Sequence, residues 1–122
     1  MEFGFREELA GEIQGVKELR KRGVRIRGRS DYGFRFTPHE NNAHDLYHLV
    51  QYFGFTPIKA IQTMTKPGGQ GMAMPDELGQ VHAGFLADLL LIEGNPATDP
   101  KVFLEHDRLC CVMKDGRFHG KS

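Results

Sequence analysis

The chain has 122 residues, enough for one domain with a modest core and too few for two independent ones. Sixteen Lys and Arg balance sixteen Asp and Glu, so net charge argues neither for an acidic partner nor for a membrane surface. No apolar run approaches the roughly 20 residues that span a bilayer, and "MEFGFREELAGEI" lacks the basic start and apolar core of a signal peptide, so the expected location is cytoplasmic.

Phe5, Leu9, Ile13, Val16 and Leu19 recur at helical spacing and predict an amphipathic helix over about residues 5–22, capped by Gly23. "VRIR" then alternates apolar and basic residues, as a short strand does, and ends near Gly28. Ser30-Asp31-Tyr32-Gly33 follows as a loop. Leu46, Leu49, Val50 and Phe53 mark a second helix closed by Gly54. Thr56-Pro57 has the chemistry of an N-cap and first-turn proline, opening a third helix from Ile58 to about Met64. "KPGGQG" reads as a flexible linker, because no Gly-Lys-Ser/Thr phosphate loop follows it. Beyond it, "FLADLLLIEG" predicts a strand, "NPATDP" a turn, and "LCCVMKDGRFH" two strands joined at Asp115-Gly116.

The expected fold class is α+β: about three N-terminal helices with one strand among them, then a small antiparallel sheet. The composition shift near residues 67–71 divides a helical segment, 1–70, from a β-rich segment, 71–122, within one compact unit. Cys110 and Cys111 are adjacent, and neighbouring strand residues point to opposite faces, so they are expected to be buried small side chains rather than joint metal ligands. Met64, Met72 and Met74 read as packing filler or loop.

Charge is polarised along the chain. Lys17–Arg29 holds seven basic residues and one acidic, whereas Met72–Pro100 holds five acidic residues and neither Lys nor Arg. The basic run is expected to be a solvated face. Weak nucleic-acid binding through residues 17–29 is the lesser alternative, since aromatic interleaving is missing within it. His44 and His48 lie four apart on the second helix, within reach of one metal, with Asp45 adjacent. The apolar residues of that helix cluster opposite them and no His-Glu-x-x-His occurs, so a solvated face is the preferred reading over a metal pair.

The order of these pieces resembles the C-terminal end of the metal-dependent amidohydrolases, especially the imidazolonepropionase-like branch. "KRGVRIRGRSDYGF" is similar to the family's approach to the last barrel strand, which ends at a catalytic aspartate; Asp31 stands in that place. "TPHENNAHDLYHLVQYFGFTPIKAIQTMT" is similar to the family's loop, paired helices and G-x-T-P-x-x-A-I signature. "ELGQVHAGFLADLLLIEGNPATDP" resembles the return to a small β-sandwich through L-G-x-[IV]-x-x-G-x-x-A-D-L, and "DRLCCVMKDGRFH" the closing hairpin. The resemblance covers about residues 16–120.

That resemblance implies a (β/α)₈ barrel plus a β-sandwich built from both chain ends, and such a barrel needs roughly 250 residues. This chain is expected to supply one barrel-derived strand, the helices around it and part of the sandwich: a fragment with its own initiator methionine, whose Met1 and ending after "KDGRFHGKS" are those expected of a complete product. The family hydrolyses C–N bonds of amides or cyclic imides with a divalent metal, zinc above all. The metal lowers the pKa of a bound water, and the last-strand aspartate orients that water and takes its proton. The ligands come from a His-x-His pair, a lysine or acid, and histidines on later strands. Here no two of the six histidines are spaced His-x-His. Asp31 is thus the candidate catalytic and metal-binding residue, but alone it is short of the three protein ligands a catalytic zinc wants. An Asx-type loop is its structural alternative. Arg27 and Arg29 stand where relatives carry small or apolar residues, and His44 where an arginine is expected. The isolated chain is therefore expected to be inactive, and either a complementary chain or homo-oligomerisation is expected to cover the apolar surfaces. The alternative reading is a non-catalytic oligomeric module.

Overall fold

The computed structural model describes residues 2–27 and 42–120. Asp31 and the expected loop around it lie outside the described residues. The chain folds as four α-helices, α1 (Glu2–Lys21), α2 (Asn42–Gln51), α3 (Pro57–Met64) and α4 (Lys66–Gly71), followed by a three-stranded antiparallel sheet. Its strands are β1 (Leu89–Ile92), β2 (Leu109–Lys114) and β3 (Arg117–Phe118), in spatial order β1-β2-β3.

The end of α1 is set by Gly23. Its φ of +79° suits the left-handed C-terminal cap, and two bonds close the turn: Gly23 N–H to Arg20 C=O at 3.0 Å and Val24 N–H to Leu19 C=O at 3.0 Å. Arg20 then ties the helix to the rest of the chain. Its guanidinium lies 3.7 Å from the centroid of the Phe55 ring and donates to the Phe53 carbonyl at 2.7 Å. The expected strand over Val24–Arg27 is not formed: these residues make no ladder. Alternation alone cannot make a strand, because a ladder needs a neighbour to receive its hydrogen bonds. Ile26 nonetheless packs on the core.

That core is small and helical. Leu46 and Leu49 on α2 meet Phe55 and the fully buried Ala60 of α3, with Ile26, Val50, Phe53, Ile61, Met64 and Phe103 around them. Thr56 caps α3 by accepting from Lys59 N–H at 3.4 Å, with Pro57 in the first turn. The buried Thr63 hydroxyl is satisfied by the Ala60 carbonyl at 2.7 Å.

"KPGGQG" is a helix, not a flexible linker. Its first turn begins with Lys66-Pro67, and Gly69 lies against the backbone of Leu78: a Cβ at Gly69 would sit 2.4 Å from the Leu78 carbonyl oxygen. Gly79, with φ +87°, returns the contact, since a Cβ there would sit 2.4 Å from the Thr65 carbonyl oxygen. The glycines serve close backbone approach rather than flexibility.

Asp99 opens a 3-10 turn, Pro100–Leu104, by accepting from Lys101 N–H at 3.0 Å, and this turn buries Val102 and packs on α2. In the sheet Leu89 pairs with Met113, Leu90 with Val112 and Leu91 with Cys111, and an irregularity follows between Leu91 and Ile92. Asp115 and Gly116 take φ +48° and +72°, the positive pair that a type I′ hairpin turn needs. Cys110 and Cys111 are free and half-buried rather than buried: among the described residues the strands form one three-stranded sheet, without a second sheet packed on it.

Candidate functional site

The described residues nearest in sequence to Asp31 are the segment 24–27 and the start of α2. Arg27 reaches α4, where its Nη1 lies 3.2 Å from where a Cβ on Gly71 would stand. A groove of about 790 Å³ opens beside this segment, between the end of α1, α3 and residues 79–81. Val24, Ile26, Phe55 and Val81 give it apolar walls, and Arg20, Lys59 and Lys66 line it, with no carboxylate among the described lining residues.

Among the described residues no third candidate ligand joins the His44–His48 pair. His44 is exposed and His48 half-buried, with ring centroids 6.2 Å apart and planes tilted by 51°. His48 instead sits among aromatic rings, 5.5 Å from Tyr52 and 6.2 Å from Tyr47. Among the described residues no three His, Cys, Asp or Glu side chains come together in a way that could hold a metal ion. His82 Nδ1–H donates locally to the Ala83 carbonyl, 2.9 Å away, and the ring packs edge-on against Phe85. The described residues therefore do not by themselves fit a divalent catalytic ion.

The group that sequence reasoning passed over is Asp88. Its carboxylate accepts from Lys114 Nζ at 2.5 Å and from Asp115 N–H at 2.8 Å, while Gly116 N–H donates to the Ala87 carbonyl at 3.1 Å. Asp88 thus fastens the start of β1 to the β2–β3 turn. The Lys114 hydrogen bond first, and the Asp115 backbone bond second, hold its pKa below the ordinary 3.8. The signal was present as the Asp of "ADL" together with "KDG", but only the antiparallel register shows that they meet. Another pair stays local: Glu105 beside Arg108 holds the guanidinium pKa above its usual value.

The sequence profile of the amidohydrolase family matches residues 6–118. The chain belongs to the amidohydrolase family. It is similar to ochratoxinase of Aspergillus niger, 34% identical over 74 residues, covering 60% of this chain and 15% of that protein. It is also similar to imidazolonepropionase of Aeromonas hydrophila subsp. hydrophila, 30% identical over 87 residues, covering 70% of this chain and 21% of that one. Among solved structures, a prolidase of Bifidobacterium longum superposes with a TM-score of 0.79 at 26% identity, over 87% of this chain and 25% of its own. The A. niger ochratoxinase structure gives 0.79 at 28% identity, over 90% of this chain and 25% of its own. This amidohydrolase chain thus spans about a quarter or less of the length of these relatives. Its mixed arrangement of helices and a small antiparallel sheet is a piece of their fold. No helix among the described residues is long and apolar enough to cross a membrane.

Proposed function

We propose that the chain is the C-terminal part of a metal-dependent hydrolase of amide or cyclic imide C–N bonds, and that it does not turn over substrate alone. One observation carries this reading. Superposition with a hydrolase structure extends over 87% of this chain but only 25% of the other, and no three-ligand cluster exists among the described residues. In a completed enzyme Asp31 is the general base, and the other ligands come from strands that this chain does not carry. Amide substrates fit the prolidase and Xaa-Pro dipeptidase neighbours, and a cyclic one fits imidazolonepropionase. The test is co-expression with the part of the B. longum prolidase that this chain does not cover, followed by assays on dipeptide amides and a cyclic imide. Activity that needs both chains and is lost in Asp31→Asn supports the reading. Co-purification of the two chains with no activity on either substrate class would overturn it.

A non-catalytic oligomeric module is the second reading, and the surface favours it. The chain exposes 9437 Å², whereas a compact protein of 13.8 kDa exposes about 6,600 Å². Leu90, Leu91, Val81 and Phe118 are all more than half exposed. Residues of this kind are covered in an assembly. Sedimentation of the isolated chain decides between self-association and a monomer awaiting a different partner.

A further inference from the structure

Helix α1 is amphipathic and stands largely uncovered. Leu9, Ile13, Val16 and Leu19 recur along one side of its 20 residues, yet Leu9 is 38% exposed and Leu19 45%. Gly4 and residues 6–12 are all exposed, and a Cβ on Gly4, Gly11 or Gly15 would meet nothing within 4 Å. Arg20 ties the C-terminal end of the helix to Phe53 and Phe55. A helix with three glycines draws its stability from packing its apolar side rather than from propensity, so this stripe needs a cover.

The charges of α1 identify that cover. From Glu2 to Glu12 it carries four Glu and one Arg, and from Ile13 to Arg22 four Lys or Arg and one Glu. Glu7, Glu8, Glu12 and Lys17 lie beyond the terminal turns in which the helix dipole acts. None of these four has an ion-pair partner among the described residues. Residues 28–41 bring two basic and two acidic side chains, so they leave this segregation unchanged. A helix acidic in one half and basic in the other is complementary to itself when two copies run antiparallel. A parallel pair sets like charges side by side.

We infer that two copies of this chain associate through α1, antiparallel about a two-fold axis. The stripes of Leu9, Ile13, Val16 and Leu19 face each other, and the acidic half of each helix lies along the basic half of its partner. The inference deepens the reading as an oligomeric module and rests on it, because it names the surface through which copies meet.

The test is sedimentation of the full chain beside two charge variants. One carries Glu7→Lys, Glu8→Lys and Glu12→Lys, and the other Lys17→Glu and Lys21→Glu. The parent is expected to dimerise, and each variant alone to associate about tenfold or more weakly. An equimolar mixture of the two variants should recover the dimer, which also shows that neither variant failed by misfolding. Parent association should weaken as salt is raised from about 20 mM to about 500 mM. Orientation is read by zero-length carbodiimide coupling in a mixture of isotope-labelled and unlabelled parent. Along one helix Glu8 and Lys17 are about 14 Å apart, too far to couple, so a Glu8–Lys17 link between labelled and unlabelled chains is the antiparallel signature. A monomeric parent would overturn the inference together with the oligomeric reading. A dimer that both variants form as tightly as the parent would overturn the α1 pairing alone, and Leu91→Glu would then ask whether the sheet carries the association. Recovery of the dimer in the mixture without any Glu8–Lys17 link would overturn the antiparallel arrangement.

Discussion

Two adjacent glycines on α4 give a prediction in which a single methyl group changes sign. Gly68 and Gly69 share one short helix, and replacing glycine by alanine in a helix interior is worth about 1 kcal/mol of stability by itself. At Gly68 the new Cβ meets nothing within 4 Å, so Gly68→Ala is expected to stabilise by about 0.5–1 kcal/mol. At Gly69 the Cβ would lie 2.4 Å from the Leu78 carbonyl oxygen, 3.0 Å from its carbon and 3.3 Å from its Cβ. Two of these are backbone atoms, and Gly79 beyond them is itself pressed against Thr65. The turn cannot withdraw without breaking the reciprocal contact. Overpacking of that kind costs about 3 kcal/mol, which leaves a net loss of about 2 after the helical gain. The two variants should therefore differ by roughly 3 kcal/mol in urea unfolding, seen as midpoints on opposite sides of the parent with unchanged slopes. Equal midpoints for Gly68→Ala and Gly69→Ala would refute the close packing of α4 on residues 78–79.

Asp88→Asn should lower stability at neutral pH by removing the anchor between β1 and the hairpin. Because folding holds this pKa below 3.8, the carboxylate's contribution is complete above that value and lost as pH falls through the folded pKa. Thermal midpoints measured from pH 6 downward should converge for parent and variant in the acid range, and a constant gap at all pH values would exclude the mechanism. Arg20→Ala removes both the Phe55 contact and the bond to Phe53 C=O, at a cost of about 1–2 kcal/mol, and limited proteolysis should cut near the end of α1 first. Thr56→Ala loses the α3 cap and about 1 kcal/mol, read by the same urea titration. His44→Ala and His48→Ala should leave the zinc content of untagged protein unchanged, because His48 lies among the Tyr47 and Tyr52 rings and no third ligand joins the pair among the described residues.

The elements carried by local chemistry were readable in advance. The α2 and α3 helices, the Thr56-Pro57 start and the Asp115-Gly116 turn each depend on residues within a few positions of one another. The misreadings came from contacts between distant residues. "KPGGQG" has the composition of a linker, and only the approach of Leu78 shows why glycine suits a helix there. "VRIR" has the alternation of a strand but no neighbour among the described residues to pair with. Asp88 is legible as a structural clamp only when β1 and β2 are placed in register. For the candidate site, Asp31 comes from a resemblance in motif order and lies outside the described residues. The family assignment itself extends over residues 6–118 and agrees with the order of those motifs.

The most direct test of the central claim is elemental analysis of the isolated chain, purified without an affinity tag and compared with Asp31→Asn. The account predicts far less than one equivalent of zinc, iron or manganese in both samples, since the described residues offer no three-ligand cluster. A stoichiometric metal that disappears in Asp31→Asn would contradict it, because this chain by itself would then hold the metal site assigned to a completed enzyme.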